Sequence, residues 1–174
     1  NELNRVYAGQ VIANVGGHSL QEYVDTVVQF NTCEKVFANE LNISCPNIKE
    51  GGVAFGTNPA MAEAVVREVK KVVTKPLIVK LSPNVTDITE IAKAAEAGGA
   101  DALSLINTLF GMRIDVYKRR PVLAQKMGGF SGPAVKPVAV RMVYQVHKAT
   151  SLPIVAMGGV SSGEDVAEFI MAGA

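Results

Sequence analysis

Five short apolar runs, each closed by turn residues and most separated from the next by a stretch with helical spacing, leave this chain few architectures. They are Gln10 to Val15, Glu40 to Ser44, Leu77 to Leu81, Ala102 to Ile106 and Pro153 to Met157. Rich in Val, Ile or Leu and too short for helices, they read as strands. None alternates cleanly between polar and apolar residues, which predicts strands covered on both faces, as in a parallel sheet.

Helical patterns fill the gaps. Asn58 and Pro59 mark a start, and Ala62, Val65, Val66, Val69, Val72 and Val73 form an apolar stripe behind them. A second helix follows Thr86 and Asp87, with Ile88, Ile91, Ala92 and Ala95 inward, and stops at Gly98 and Gly99. A third spans roughly Pro137 to Thr150 on Val138, Met142, Val143 and Val146. The last begins near Ser162, whose spacing to Asp165 is an imperfect capping box, and turns Val166, Phe169 and Ile170 to the sheet.

No hairpin signal interrupts this succession of βα units, so right-handed crossovers set the strands parallel. The fold is then α/β, either a β/α barrel or an open doubly wound sheet. Polar loops after nearly every strand favour the barrel, whose active sites lie at the C-terminal strand ends. Five strands fall short of the eight, in about 250 residues, of a complete barrel. One domain over residues 1–174, forming an incomplete barrel, is the expectation.

With 48% hydrophobic and 19% charged residues, the 174-residue chain can bury a core and is too apolar for disorder. Seventeen basic against 16 acidic residues give a net charge of +1 without a charge block. That balance supports neither nucleic-acid nor anionic-membrane binding. Cys33 and Cys45 are too few for a disulfide scaffold and lack metal-site spacing, which favours a reducing intracellular setting. The apolar runs are strand-sized and the opening "NELNRVYAGQ" is polar, so no membrane span or signal peptide is visible.

The strand ends gather polar residues: Asn14, then Asn42, Cys45 and Asn47, then Lys80, Ser82 and Asn84, then Asn107 and Thr108, then Gly158 and Gly159. Each alone reads as a turn residue; together they favour a ligand site where a parallel fold opens. A buried cysteine often behaves as a small hydrophobe. Ser44, Pro46 and Asn47 instead set Cys45 in a polar loop, where a thiol can serve as base or nucleophile. Cys33 has no such setting, and His18 and His147 form no evident Cys/His pair for acyl transfer. Lys80, in "PLIVKLSPN", is either a charge at the sheet rim or the partner of an anionic or polar ligand; its apolar flanks favour the ligand. "MGGFSGPAVKP" (127–137) and "MGGVSSGED" (157–165) precede helices and can bring backbone close to a phosphate, although neither is a dinucleotide fingerprint or a P-loop. No carboxylate and histidine constellation reads as a metal site, and Asp87, Glu90 and Glu96 fit a solvated helix face.

Six segments in order, "VIANVGG", "ELNISCPNIKEGGVAFGTNP", "VKLSPNVTDI", "GGADALSLINTLFGMRIDV", "GGFSGPAVKPVAVR" and "PIVAMGGVSSGEDVAEFIMAGA", resemble class 1B dihydroorotate dehydrogenase, the FMN-containing catalytic subunit of pyrimidine biosynthesis. The resemblance covers nearly the whole chain from residue 11 onward and implies a β/α (TIM) barrel of which this chain spans strands three to seven. It implies oxidation of dihydroorotate to orotate, with Cys45 taking the C5 proton while a hydride leaves C6 for FMN. By the same resemblance Asn42, Asn47 and Asn107 hold the substrate and Thr108 matches a hydroxyl position there. Lys80 resembles the lysine beside the flavin ring, and Gly132, Gly158 and Gly159 resemble backbone contacts of FMN, the last two near its phosphate.

The family's earlier segments, with another flavin-side lysine, and its final strand, completing the phosphate site, have no counterpart here. The resemblance also implies a cytoplasmic homodimer and an electron-transfer subunit carrying FAD and a [2Fe-2S] cluster and delivering electrons to NAD. Two cysteines cannot build that cluster in this chain. The competing readings are a related pyrimidine flavin oxidoreductase, such as the flavin domain of dihydropyrimidine dehydrogenase, and a non-catalytic barrel fragment with a binding or scaffold role. "INTLFGMRIDV" fits class 1B better than the first of these.

Overall fold

The computed structural model describes residues 6–44 and 55–174. Along the chain run β1 (Val11–Val15), α1 (Leu20–Asn31), β2 (Val36–Asn42), α2 (Pro59–Lys70), β3 (Leu77–Lys80), α3 (Ile88–Ala97) and β4 (Ala102–Leu105). After them come β5 (Leu109–Met112), β6 (Ile114–Asp115), β7 (Arg120–Pro121), β8 (Met127–Phe130), α4 (Lys136–Ala149), β9 (Ile154–Ala156) and α5 (Gly163–Ala172). The five expected strands pair in parallel in the order β1-β2-β3-β4-β9. That order follows the chain without the reversal of a doubly wound sheet.

One sheet face is sealed by the helices, each of which packs on the next. Val15, Leu41, Val79, Leu103 and Leu105 point into that layer and are buried. Against them lie Tyr23 and Val27 of α1, Val65, Val66 and Val69 of α2, Ile91 and Ala95 of α3, and Val143 and Val146 of α4. The other face is open at its edges, where Ile12 is 51% and Val155 44% exposed, while Ile78 and Ser104 at its centre are buried. The expectation of strands covered on both faces is therefore corrected, because period-2 alternation places Glu40 and Lys80 on the side away from the helices.

Local chemistry explains the helix ends. Asn58 Oδ1 accepts from the Met61 amide at 3.1 Å ahead of Pro59, and Asp87 Oδ1 accepts from the Thr89 amide at 2.8 Å. The α2 stripe is shorter than expected, since Val72 and Val73 lie beyond the helix end. Helix α1 was not anticipated from the sequence; it buries only Tyr23 and Val27, too sparse a stripe to stand out. Its signal lay at the cap, where Ser19 Oγ accepts from the Glu22 amide and Glu22 Oε2 accepts from the His18 amide.

Two further differences concern the second half. Residues 109–130 are not a simple connection: β5 pairs antiparallel with β8, and β6 with β7 inside them. These strands are short, glycine-bearing and largely solvated, so no apolar alternation announces them, and the turn is set by Asp115 Oδ1 accepting from the Tyr117 and Lys118 amides, each at 3.0 Å. Helix α5 buries Asp165, Phe169 and Ala172, not Val166 and Ile170, which are 47% and 62% exposed. Hydrogen bonds to Asp165 fix that rotation, because residues four and seven positions on share its face.

Two substitutions separate core from surface. Leu103→Ala should destabilise by about 3 kcal/mol, whereas Ile170→Ala should stay within about 0.5 kcal/mol of the parent; urea midpoints at constant slope measure both. Equal losses would contradict the assignment of the buried face.

Candidate functional site

Parallel register decides which side chains share the open face. Asn14 lies beside Glu40, Asn42 beside Lys80, and Lys80 beside Ser104. These residues stand at or near the C-terminal ends of four adjacent strands. The Glu40 carboxylate accepts from the Asn14 amide and, at 2.7 Å, from Ser104 Oγ, and its Oε2 is 3.5 Å from Lys80 Nζ. Lys80 thus has a carboxylate partner within the chain, and both side chains remain partly solvated.

The strand-end asparagines form a second group. Asn107 Nδ2 donates to Asn42 Oδ1 at 3.1 Å, and the same oxygen accepts from the Ser44 amide at 3.2 Å. Tyr23 OH donates to the Asn42 carbonyl at 2.8 Å, which fixes the strand end from the helix side. Asn107 Oδ1 accepts from the Thr108 amide at 2.8 Å, and Asn84 Nδ2 donates to the Thr108 carbonyl at 2.9 Å. Thr108 is exposed and packs on Gly129, where any side chain would collide with Oγ1.

The glycine-rich loops form the third group. Gly158 and Gly159 have φ of +121° and +80°, which favour glycine. A methyl group on Gly159 would lie 2.8 Å from the Gly132 carbonyl oxygen and 3.0 Å from the Lys136 backbone nitrogen. Gly132 and Gly159 therefore meet at the start of α4. Gly158 lies against Ile106, and Ile106 N donates to the Met157 carbonyl at 2.9 Å, joining this group to the end of β4. Of the residues singled out in the sequence, Asn42, Lys80, Asn107, Thr108, Gly132, Gly158 and Gly159 line linked strand ends. Cys45 and Asn47 lie outside the described residues.

An ion cluster holds the last loop. Lys136 Nζ donates to Asp165 Oδ1 at 2.7 Å and pairs with Glu168 at 2.8 Å. Asp165 Oδ2 accepts from Ser161 N, Ser161 Oγ and Ser162 N at 2.8, 2.9 and 3.0 Å. The Lys136 bond above all, then those from Ser161, hold the Asp165 carboxyl well below the usual carboxylate range. Asp165, then Glu168, raise the Lys136 ammonium above its ordinary value. The pair was not foreseen; the sequence spacing suggested a weak cap, and the structure completes a reciprocal capping box between Ser162 and Asp165.

Also missed were Glu40 and Ser104. The signal for Glu40 was available, since a carboxylate inside a β-strand needs a partner for the same reason as Lys80. Among the described residues no three His, Cys, Asp or Glu gather as a metal site, and no helix is long and apolar enough to cross a membrane.

A profile of the dihydroorotate dehydrogenase family matches residues 2–174. The chain belongs to the dihydroorotate dehydrogenase family. The catalytic subunit of dihydroorotate dehydrogenase B (NAD(+)) from Alkaliphilus metalliredigens is 59% identical over 170 residues, 98% of this chain and 56% of that protein. Its namesakes from Lachnoclostridium phytofermentans and Halalkalibacterium halodurans are 62% and 54% identical, over 95% and 100% of this chain and 55% and 58% of theirs. This dihydroorotate dehydrogenase family chain thus spans little more than half the length of those relatives. In fold alone it is similar to a chain in the Amycolatopsis orientalis BexX/CysO complex, with a TM-score of 0.54 at 17% identity, over 94% of this chain and 54% of that one.

The ion cluster gives a pH prediction. The depressed Asp165 value means that its contribution to stability is full above its ordinary value of 3.8 and is lost as pH falls below it. The stability gap between wild type and Asp165→Asn should hold constant from pH 7 to about 5 and shrink below about pH 4. Urea unfolding across that range checks it, and a gap that widens on acidification would contradict it.

Proposed function

We propose that the protein carrying this chain oxidises dihydroorotate to orotate in pyrimidine biosynthesis, and that residues 1–174 supply strands three to seven of its β/α barrel. The observation that carries the reading is the Asn42–Asn107 bond of 3.1 Å at the ends of β2 and β4, next to Lys80, in a chain of this family. Two amides side by side offer donors and acceptors together, which suits a ring bearing amides and a carboxylate. Chain-ordered parallel strands, with helices packed in succession, support the barrel.

FMN, when bound, supplies the acceptor for the hydride that leaves C6 of dihydroorotate. The residues present fit that group. Polar side chains on the open sheet face suit a flavin ring, and the meeting of Gly159 with the Gly132 carbonyl and the Lys136 nitrogen, where a side chain on Gly159 would collide, leaves bare backbone for its phosphate. In the proposed arrangement Cys45 takes the C5 proton, Asn42, Asn47 and Asn107 orient the substrate, and Thr108 adds a hydroxyl contact. The Lys80 ammonium would balance charge on the ring as it is reduced.

The relatives' designation as catalytic subunits supports a second subunit. We assign to it FAD and a [2Fe-2S] cluster that pass electrons to NAD, and to this chain a homodimeric state in the cytoplasm.

Anaerobic addition of dihydroorotate to the FMN-loaded protein tests the reading. Flavin absorbance should bleach, and Cys45→Ala should retain FMN while bleaching about 100-fold more slowly or worse. The wild-type rate should rise with pH as the thiol, ordinarily near pKa about 8.5, becomes thiolate. FMN uptake without bleaching would contradict the substrate, and no FMN uptake would contradict the flavin reading.

A further inference from the structure

Lys80 and Glu40 carry opposite charges on the open face of the sheet, yet they do not close into a tight pair. Nζ stands 3.5 Å from Oε2, whereas charge-assisted N–H···O bonds run at about 2.7–2.9 Å. Lys136 reaches Asp165 and Lys70 reaches Asp101, each at 2.7 Å, whereas the exposed Lys118 stays 3.9 Å from Asp115.

The cause lies on either side of the carboxylate. Ser104 Oγ, fully buried, donates to Oε1 at 2.7 Å, and the Asn14 amide donates to Oε2. These donors come from β4 and β1, on opposite sides of the site, and β2 carries Glu40 between β1 and β3. Held from two strands, the carboxylate is fixed in place, and Lys80 Nζ stands 3.5 Å from it there. A lysine with one long contact keeps donors for a second acceptor.

We propose that Glu40 is a positioning residue for Lys80. Clamped by Asn14 and Ser104, it retains the ammonium on the open face without quenching it in a close ion pair, and thereby sets the reduction potential of the flavin beside it. The inference rests on the flavin reading proposed above. Neither Glu40 nor Ser104 needs to touch substrate for this effect.

The clamp predicts opposite shifts from two small substitutions. Glu40→Gln keeps the shape and removes a negative charge beside Lys80, so reduction is favoured. The potential should rise by a tenfold or larger change in the reduction equilibrium, about 30 mV for a two-electron couple. Ser104→Ala leaves every charge in place but frees Oε1, so the carboxylate can close on the ammonium and the potential should fall.

The test is the flavin midpoint potential of FMN-loaded wild type, Glu40→Gln and Ser104→Ala, by equilibration against reference dyes, with circular dichroism to verify folding. A rise in the first variant and a fall in the second support the proposal. Unchanged potentials in folded, FMN-bound variants, or shifts of the same sign, overturn it. Should Glu40→Gln not fold, Ser104→Ala decides alone: a fall supports the clamp and no change overturns it. A wild type that takes up no FMN overturns the flavin reading and this inference with it, a failure visible before any substitution is made.

Discussion

Burial of Val15, Leu41, Val79, Leu103 and Leu105 beneath the helices fixes the register of the parallel sheet, and the polar face follows from that register. A slip of one residue on any strand would turn its apolar set to solvent and its polar set into the helix layer. The packing therefore holds Asn42 opposite Lys80 and Lys80 opposite Ser104 with no separate device. The same side-chain alternation gives each strand an apolar back, which contributes stability, and a polar front, where the candidate site lies.

How much of this was legible depended on whether the signal was local. The strands at Leu77 and Ala102 and the helices capped by Asn58 and Asp87 were readable because apolar runs and caps lie within a few residues of each other. Strand β2 begins at Val36 rather than at Glu40 and ends at Asn42, ahead of the polar turn. Helix α1 and the antiparallel excursion at 109–130 were not legible from apolar spacing, since one buries two side chains and the other is mostly solvated. The rotation of α5 was misread for a different reason. Its inward face carries Asp165, whose burial makes sense only once Lys136, 29 residues away, is seen to bond it.

For the site, residue types were informative and partnerships were not. Lys80, Asn42 and Asn107 stood out individually, but the 3.1 Å bond between the two asparagines joins residues 65 positions apart and requires the fold. Glu40 sits inside β2, and a carboxylate there needs partners for the same reason as Lys80. Its carboxylate draws Asn14, Lys80 and Ser104 together from three other strands. Such a row is costly to bury unless satisfied and useful when one member keeps donors free.

The proposed flavin site lies at the C-terminal strand ends and not at the opposite rim. Hydrogen-exchange mass spectrometry of the protein with and without FMN measures this directly. Protection on FMN binding is expected at residues 80–84, 104–108, 128–132 and 157–161, with no change at the N-terminal strand starts around residues 34–36 and 75–77. Protection confined to those starts, or no protection at the four strand-end segments when FMN is bound, would contradict it.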